Sequence, residues 1–109
     1  MYIPDRGDII LINFEPSIGK EIMKTRPGFV LSRRLLNQHT GLAIIAPITS
    51  TIRGVKLEVL LTKTMTTHGS ILVHQMKSMD FECRAARFVE KSPESIIDQV
   101  DKIAKLIIS

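Results

Sequence analysis

At 109 residues the chain has the length of one ordinary domain, and a hydrophobic fraction of 44% supplies enough apolar surface for a core, which argues against a disordered chain. Fifteen Lys and Arg against 11 Asp and Glu leave a formal charge of +4, which suits a polyanion or an acidic partner and also serves plain solubility. Cys83 is the only cysteine, so an internal disulfide is excluded and a reducing compartment is expected.

Aromatic residues are 5% and Trp is absent, so the core must be built from Ile, Leu, Val and Met. No apolar run has the length of a membrane span. The opening Met1-Tyr2-Ile3-Pro4-Asp5-Arg6 lacks the basic-then-apolar order of a signal peptide. A cytoplasmic protein with no membrane partner is the expectation.

Short β-like runs come first and one helix comes last. Residues 8–14 open after Gly7 and are rich in Ile and Leu; they predict a first strand. Residues 28–32 follow Arg26-Pro27 and predict a second. Residues 33–38 predict a single helical turn. The run 42–46, ended by Pro47, predicts a third strand. Residues 55–61 and 70–76 predict a fourth and a fifth, and 81–89 a sixth that is more polar and bent. Runs of this length between Gly, Pro and Asn fit a compact β barrel or sandwich. At the end, Ser92 suits an N-cap and Pro93 the first helical position. Ile96, Ile97, Val100, Ile103, Ala104 and Ile107 then recur at spacings of three and four, with Asp98, Asp101, Lys102 and Lys105 between them. That is one apolar stripe, which must be buried against the sheet or a partner. All of it fits one domain, 1–109.

Several familiar chemistries are excluded by spacing. Gly19-Lys20 is not a phosphate loop, because Phe14 stands where its first Gly belongs and Glu21 where a Ser or Thr belongs. His39, His68 and His74 have no metal-ligand spacing, so neither a metal nor another cofactor is expected. No GxSxG elbow is present. Polar residues at strand ends remain. Arg26 precedes Pro27 in extended backbone, Thr49 follows the run 42–48, and His74 and Gln75 lie in the run 70–76. Taken singly, each has a structural reading that outweighs a functional one: a surface ion pair, a strand-end hydrogen bond, a core histidine bonded to backbone. For His74 the strand reading sets Leu72, His74 and Met76 on one face, and a buried imidazole is the first expectation. Together, an Arg, a hydroxyl and an imidazole could converge on a phosphodiester. RNA carries its own nucleophile, so such a site needs only a proton acceptor, a proton donor and a cation.

The order of motifs resembles that of the MazF/PemK/ChpB family of toxin–antitoxin ribonucleases over nearly the full length. Arg6-Gly7-Asp8-Ile9 resembles its "RGDI" start. Phe14-Glu15-Pro16 with Gly19-Lys20-Glu21 resembles "FxPxxGxE", and Arg26-Pro27 through Ser32 resembles "RPxxVLS". Asn37 falls where the family often has Asn. Ala46-Pro47-Ile48-Thr49-Ser50 resembles "xPxTS". His74-Gln75 with Asp80 and Arg84 resembles "DQxxxxDxxxR". The resemblance implies a mainly β fold with a C-terminal helix (α+β), an SH3-like barrel of the MazF/CcdB toxin type. It implies a homodimer that holds single-stranded RNA in an interface groove. It implies cleavage without metal to a 2′,3′-cyclic phosphate and a 5′-hydroxyl, and a MazE/PemI-like antitoxin whose acidic tail blocks the groove.

Site residues transfer unevenly. The Arg–Thr pair of MazF-like members falls on Arg26 and Thr49. The Asp–Arg–His set proposed for PemK-like members falls on His74, Leu72 and Lys20 and is not intact. His74 can still transfer protons near neutrality and completes the expected catalytic set. Expected RNA contacts are Lys20, Glu21, Lys24, Ser50, Arg53 and Gln75, from the loops 15–25 and 49–54 and the strand 70–76. Two alternatives compete with a ribonuclease: a non-catalytic gyrase poison of the CcdB type, which the absence of Trp disfavours, and an RNA-binding module without cleavage.

Overall fold

A computed structural model describes residues 1–14, 25–51 and 57–109. Its first strand, β1 (Asp8–Asn13), is buried on both faces, which is why its sequence is almost continuously apolar rather than alternating. Ile9 points into one core with Phe29, Ile48, Ile71, Val73 and Ile96. Ile10 and Ile12 point into the other with Phe14, Val30, Ile45, Met79 and Phe81. The remaining strands are β2 (Thr25–Val30), β3 (Ala43–Thr49), β4 (Glu58–Leu60), β5 (Ser70–Leu72), β6 (Lys77–Met79) and β7 (Arg87–Lys91), with helices α1 (Arg34–Thr40) and α2 (Glu94–Ile108). The strand order is β4-β5-β3-β2-β1-β7, with β6 also on β3, and every pairing is antiparallel. This is the expected mainly β sheet with a C-terminal helix, although among the described residues its hydrogen-bonded path is not closed into a barrel.

β3 organises the sheet. On one side it pairs β2, with Gly28 opposite Pro47 and Val30 opposite Ile45. On the other side its first half pairs β6, from Ala43 to Ile45, and its end pairs β5, at Ile48 and Thr49. Pro47, with no N–H to offer, falls in the gap between those two partners. The expected end of the strand before Pro47 is therefore replaced by a strand that runs through it.

The predicted strand 70–76 is corrected in the same place. The chain leaves β5 at Leu72, makes a 3₁₀ turn over Val73–Gln75 and resumes as β6. Val73 is buried, whereas His74 and Gln75 are exposed. The expectation of a buried His74 on a face with Leu72 and Met76 is thus overturned, because the turn rotates it out of the pleat. The segment 81–89 divides too. Asp80 accepts the Cys83 N–H at 3.0 Å, and Ala86 N donates to Phe81 O at 2.9 Å. These bonds close a turn, and β7 starts only at Arg87. Helix α2 begins at Glu94 with Pro93 as its cap, not at Ser92, whose hydroxyl is buried without a partner. Ile96, Ile97 and Val100 bury the stripe's first half, while Ile107 and Ile108 stay exposed. No helix among the described residues is long and apolar enough to cross a membrane.

Polar ties hold the N-terminus to this frame. Tyr2 Oη donates to Asp8 at 2.5 Å, and Lys91 Nζ lies 3.2 Å from the same carboxylate. Burial, then the bond to Asp8, holds the Tyr2 phenol well above its ordinary range, so it remains a donor. Arg6 pairs with Asp101 of α2. Asn37 is fully buried; its amide donates to Pro4 O at 2.9 Å and Ser32 O at 3.1 Å, and its oxygen accepts from Ser32 Oγ at 2.6 Å. The Asn in the expected position therefore binds the N-terminal segment to the β2–α1 corner.

Two predictions follow from these contacts. Asn37→Ala strands two buried carbonyls and a hydroxyl, and should lower unfolding free energy by about 3 kcal/mol, read as a fall in the urea midpoint at constant slope. Gly69 has φ 120°, and a Cβ there would overlap the Thr49 carbonyl. Gly69→Ala should cost about 2–3 kcal/mol, because the strained backbone and the overlap act together; a melting temperature equal to the parent's would refute the close approach.

Candidate active site

Two adjoining clefts open where β3 changes partner. The larger, of about 360 Å³, is lined by Arg26, Pro27, Pro47, Ile48, Thr49, Ser50, Thr51 and His68. The smaller, of about 210 Å³, is lined by Phe14, Arg26, Pro47, Gln75 and Lys77. Arg26 and Pro47 belong to both, so the guanidinium stands at the junction.

The sheet itself sets the Arg26–Thr49 relation. The β2–β3 register pairs Phe29 with Ala46 and Gly28 with Pro47. Two residues beyond that last pair stand Arg26 on β2 and Thr49 on β3, and both line the larger cleft. Pro27 has no N–H and lies beyond the last rung of that ladder, so it leaves the register undisturbed. Thr49 is fixed from its other side by β5, where it pairs with Ser70. Its Oγ1 accepts the Thr51 N–H at 3.1 Å, which turns the hydroxyl proton toward other acceptors.

The smaller cleft receives its polar groups from the 3₁₀ turn and β6. Gln75 ends the turn, and Lys77 starts β6 opposite Ile45. Lys77 Nζ lies 5.9 Å from the centre of the Phe14 ring, a cation–π contact that holds the ammonium over the cleft floor. The Arg84 guanidinium donates to the Asn13 and Phe14 carbonyls at 3.1 and 2.9 Å and steadies the end of β1 beneath it.

Arg26, Lys77 and His68 line the two clefts, and no carboxylate among the described residues does. The region is built for an anion. No group of His, Cys, Asp and Glu that could hold a metal gathers among the described residues. Of the expected residues, Arg26, Thr49 and Ser50 meet in one cleft, and Gln75 joins Arg26 in the other. His74 is next to Gln75 in sequence but lines neither cleft. Lys20, Glu21, Lys24 and Arg53 lie outside the described residues. Sequence reasoning missed His68, Lys77 and Phe14. Neither His68 nor Lys77 carries a local signal in the sequence: Lys77 reaches the cleft only because the chain breaks after Leu72 and pairs again as β6.

Sequence and structure comparisons agree on the chain's kinship. Residues 5–108 match the family model for the PemK-like, MazF-like toxin of type II toxin–antitoxin systems. The endoribonuclease toxin MazF of Escherichia coli strain K12 is 36% identical over 85 residues, which span 78% of this chain and 76% of the relative. The endoribonuclease toxin ChpB of the same strain is 33% identical over 100 residues, spanning 87% and 85%. A crystal structure of MazF from Deinococcus radiodurans superposes with TM-score 0.89 at 30% identity, covering 99% of this chain and 98% of that one. A MazE–MazF structure from the same organism superposes with TM-score 0.88 at 28% identity, covering 100% and 98%. The chain belongs to the PemK-like, MazF-like toxins of type II toxin–antitoxin systems.

Proposed function

We propose that this chain is the endoribonuclease of a toxin–antitoxin pair, cutting single-stranded RNA by attack of the substrate's own 2′-hydroxyl, with products ending in a 2′,3′-cyclic phosphate and a 5′-hydroxyl. One observation carries the reading: a cationic cleft lined by both Arg26 and Thr49. Arg26 places fixed charge and forked donors on the scissile phosphate. A guanidinium holds its proton too firmly to serve as base, so its role is electrostatic. Thr49 donates its free hydroxyl proton to a phosphorane oxygen, which contributes on the order of a few kcal/mol if the bond forms only in the transition state. Ser50 and Gln75 offer hydrogen bonds to base edges along the two clefts, and Lys77 offers charge to a neighbouring phosphate. His74, exposed on the 3₁₀ turn beside Gln75, contributes along the RNA's path. No cofactor takes part, and the enzyme works in the cytoplasm.

The relatives named MazE–MazF support an antitoxin partner of the same kind for this chain, with an acidic tail laid on the cationic clefts. A homodimer is supported by a further surface. A cleft of about 460 Å³ between α2 and the β3–β6 edge is lined by Leu31, Ile44, Met76, Ala104 and Ile108 among others, and its rim includes Lys77. Exposed Leu35, Leu36 and Leu42 add to the apolar surface of this molecule. Lys77 also lines the smaller Arg26 cleft, so a second copy docked there would border the RNA path.

Purified protein incubated with a long single-stranded transcript and a chelator should cut it; binding without cleavage would move the chain to the RNA-binding class, and gyrase inhibition to the poison class. Arg26→Lys should lose about 10²-fold or more in cutting rate with the fold intact, and near-native cutting would remove the clamp. Thr49→Val should slow cutting of bound RNA while affinity changes little; the reverse pattern would make Thr49 a binding residue. Light scattering should give a dimer at micromolar protein, and a monomer would sink the shared groove.

A further inference from the structure

We propose that His68 is the proton acceptor of the Arg26–Thr49 cleft, an inference that rests on the ribonuclease reading above. Among the described residues lining that cleft, Arg26 and His68 are the ionisable ones. A guanidinium does not accept the 2′-hydroxyl proton, whereas an imidazole changes charge between pH 5 and 8 and can. Among the described residues no carboxylate lines the cleft, and His74 lies outside it.

The segment that carries His68 is held in place from two sides. Gly69 presses its backbone onto the Thr49 carbonyl, at φ 120° and with no room for a Cβ. The next residue, Ser70, pairs with Thr49 in the ladder. The His68 backbone is thus tied two residues from the strand pair that places the hydroxyl. On the other side the Glu90 carboxylate, on β7, accepts the Thr66 and Thr67 N–H groups at 3.0 and 2.7 Å and closes the turn leading into His68. Burial raises the Glu90 carboxyl, but the bonds from Thr67 and Thr66 outweigh it, and the charge of His68 adds to them, so it is held below its usual range and remains ionised. Among the described residues, the charged groups that share these surroundings with His68 are Arg26 of β2, which lines the same cleft, and Glu90 of β7, whose carboxylate feels the His68 charge.

The step balances with groups at hand. As O2′ attacks phosphorus, its proton passes to the His68 imidazole. The O2′–P bond forms, the P–O5′ bond breaks, and O5′ takes a proton from water at the open mouth of the cleft. The imidazolium then returns its proton to solvent.

The test is His68→Gln, which keeps a polar side chain at an exposed position. Single-turnover cutting of a long single-stranded transcript is followed across pH 5 to 9. Affinity is measured on the same RNA carrying 2′-deoxy positions, which cannot be cut. The variant should bind as the parent does, cut about 10²-fold more slowly or worse, and lose the acid limb of the rate profile. Cutting at the parent's rate, or slower cutting with the acid limb retained, overturns the proposal. A loss of rate matched by an equal loss of affinity also overturns it and makes His68 an RNA contact. A parent protein that cuts no RNA removes the ribonuclease reading itself, and this inference with it.

Discussion

The partner change along β3 is the constraint from which the site follows. An antiparallel strand with two neighbours ordinarily has every N–H and C=O claimed. Here β2 pairs with the middle of the strand, Ile45 to Pro47, and the other side is taken by β6 for residues Ala43 to Ile45 and by β5 for Ile48 and Thr49. Pro47 falls in between, where its missing N–H disrupts no rung. The chain between β5 and β6 has to cross that gap, and it does so as the 3₁₀ turn Val73–Gln75. The turn buries Val73 in the core under α2 and sends Gln75 and Lys77 to the open side. Both clefts lie where the sheet splits, beyond the last β2–β3 pair at Gly28 and Pro47.

The parts of the fold that sequence alone reveals are those governed by local or periodic physics. The apolar run of β1, the stripe on α2 and the short helix before Gly41 obey the 2.0 and 3.6 periods or a glycine stop, and all are found near the expected positions. The misses have one common cause. A run such as Ser70 to Met76 is apolar enough for a strand on either face, so its pattern does not show where the chain turns. Only the tertiary demand of β3 for two partners breaks it after Leu72. The same applies to Pro47, which reads as a strand end in isolation and sits inside a strand because no neighbour needs its N–H. For the site, Arg26, Thr49 and Ser50 were legible through ordered motifs. Lys77 and Phe14 were not, because their meeting depends on the β3–β6 register and the end of β1. His68 was not, because nothing local separates it from any other exposed histidine.

The clefts and the apolar face meet at Lys77, and this shapes how two different partners can compete. An RNA strand offers evenly spaced phosphates and splayed bases; an acidic peptide offers carboxylates on a flexible backbone. Both are drawn by Arg26, Lys77 and His68. On the proposed reading, a tail that fills the smaller cleft with an apolar side chain over Phe14 and a carboxylate near Lys77 would exclude RNA without touching Thr49. Inhibition then needs no distortion of the site, only prior possession of its charge.

The division of labour in such a site is uneven. The substrate brings the nucleophile, so the protein must supply charge, one hydroxyl and one proton acceptor. The first two are bound to backbone register: Arg26 is held by its pairing with Ile12 and Thr49 by its pairing with Ser70, and a one-residue slip of either strand would turn its side chain to the other face. A proton acceptor is held less strictly, since an imidazole or carboxylate on any neighbouring segment within reach of the 2′-oxygen can serve. A chain can therefore carry an Arg and a Thr in invariant geometry while its base moves from one loop to another. In this chain His74 lies exposed on the 3₁₀ turn and is not among the residues that line either cleft. The segment locked by Gly69 against Thr49 and by Glu90 against the preceding turn brings His68 there instead.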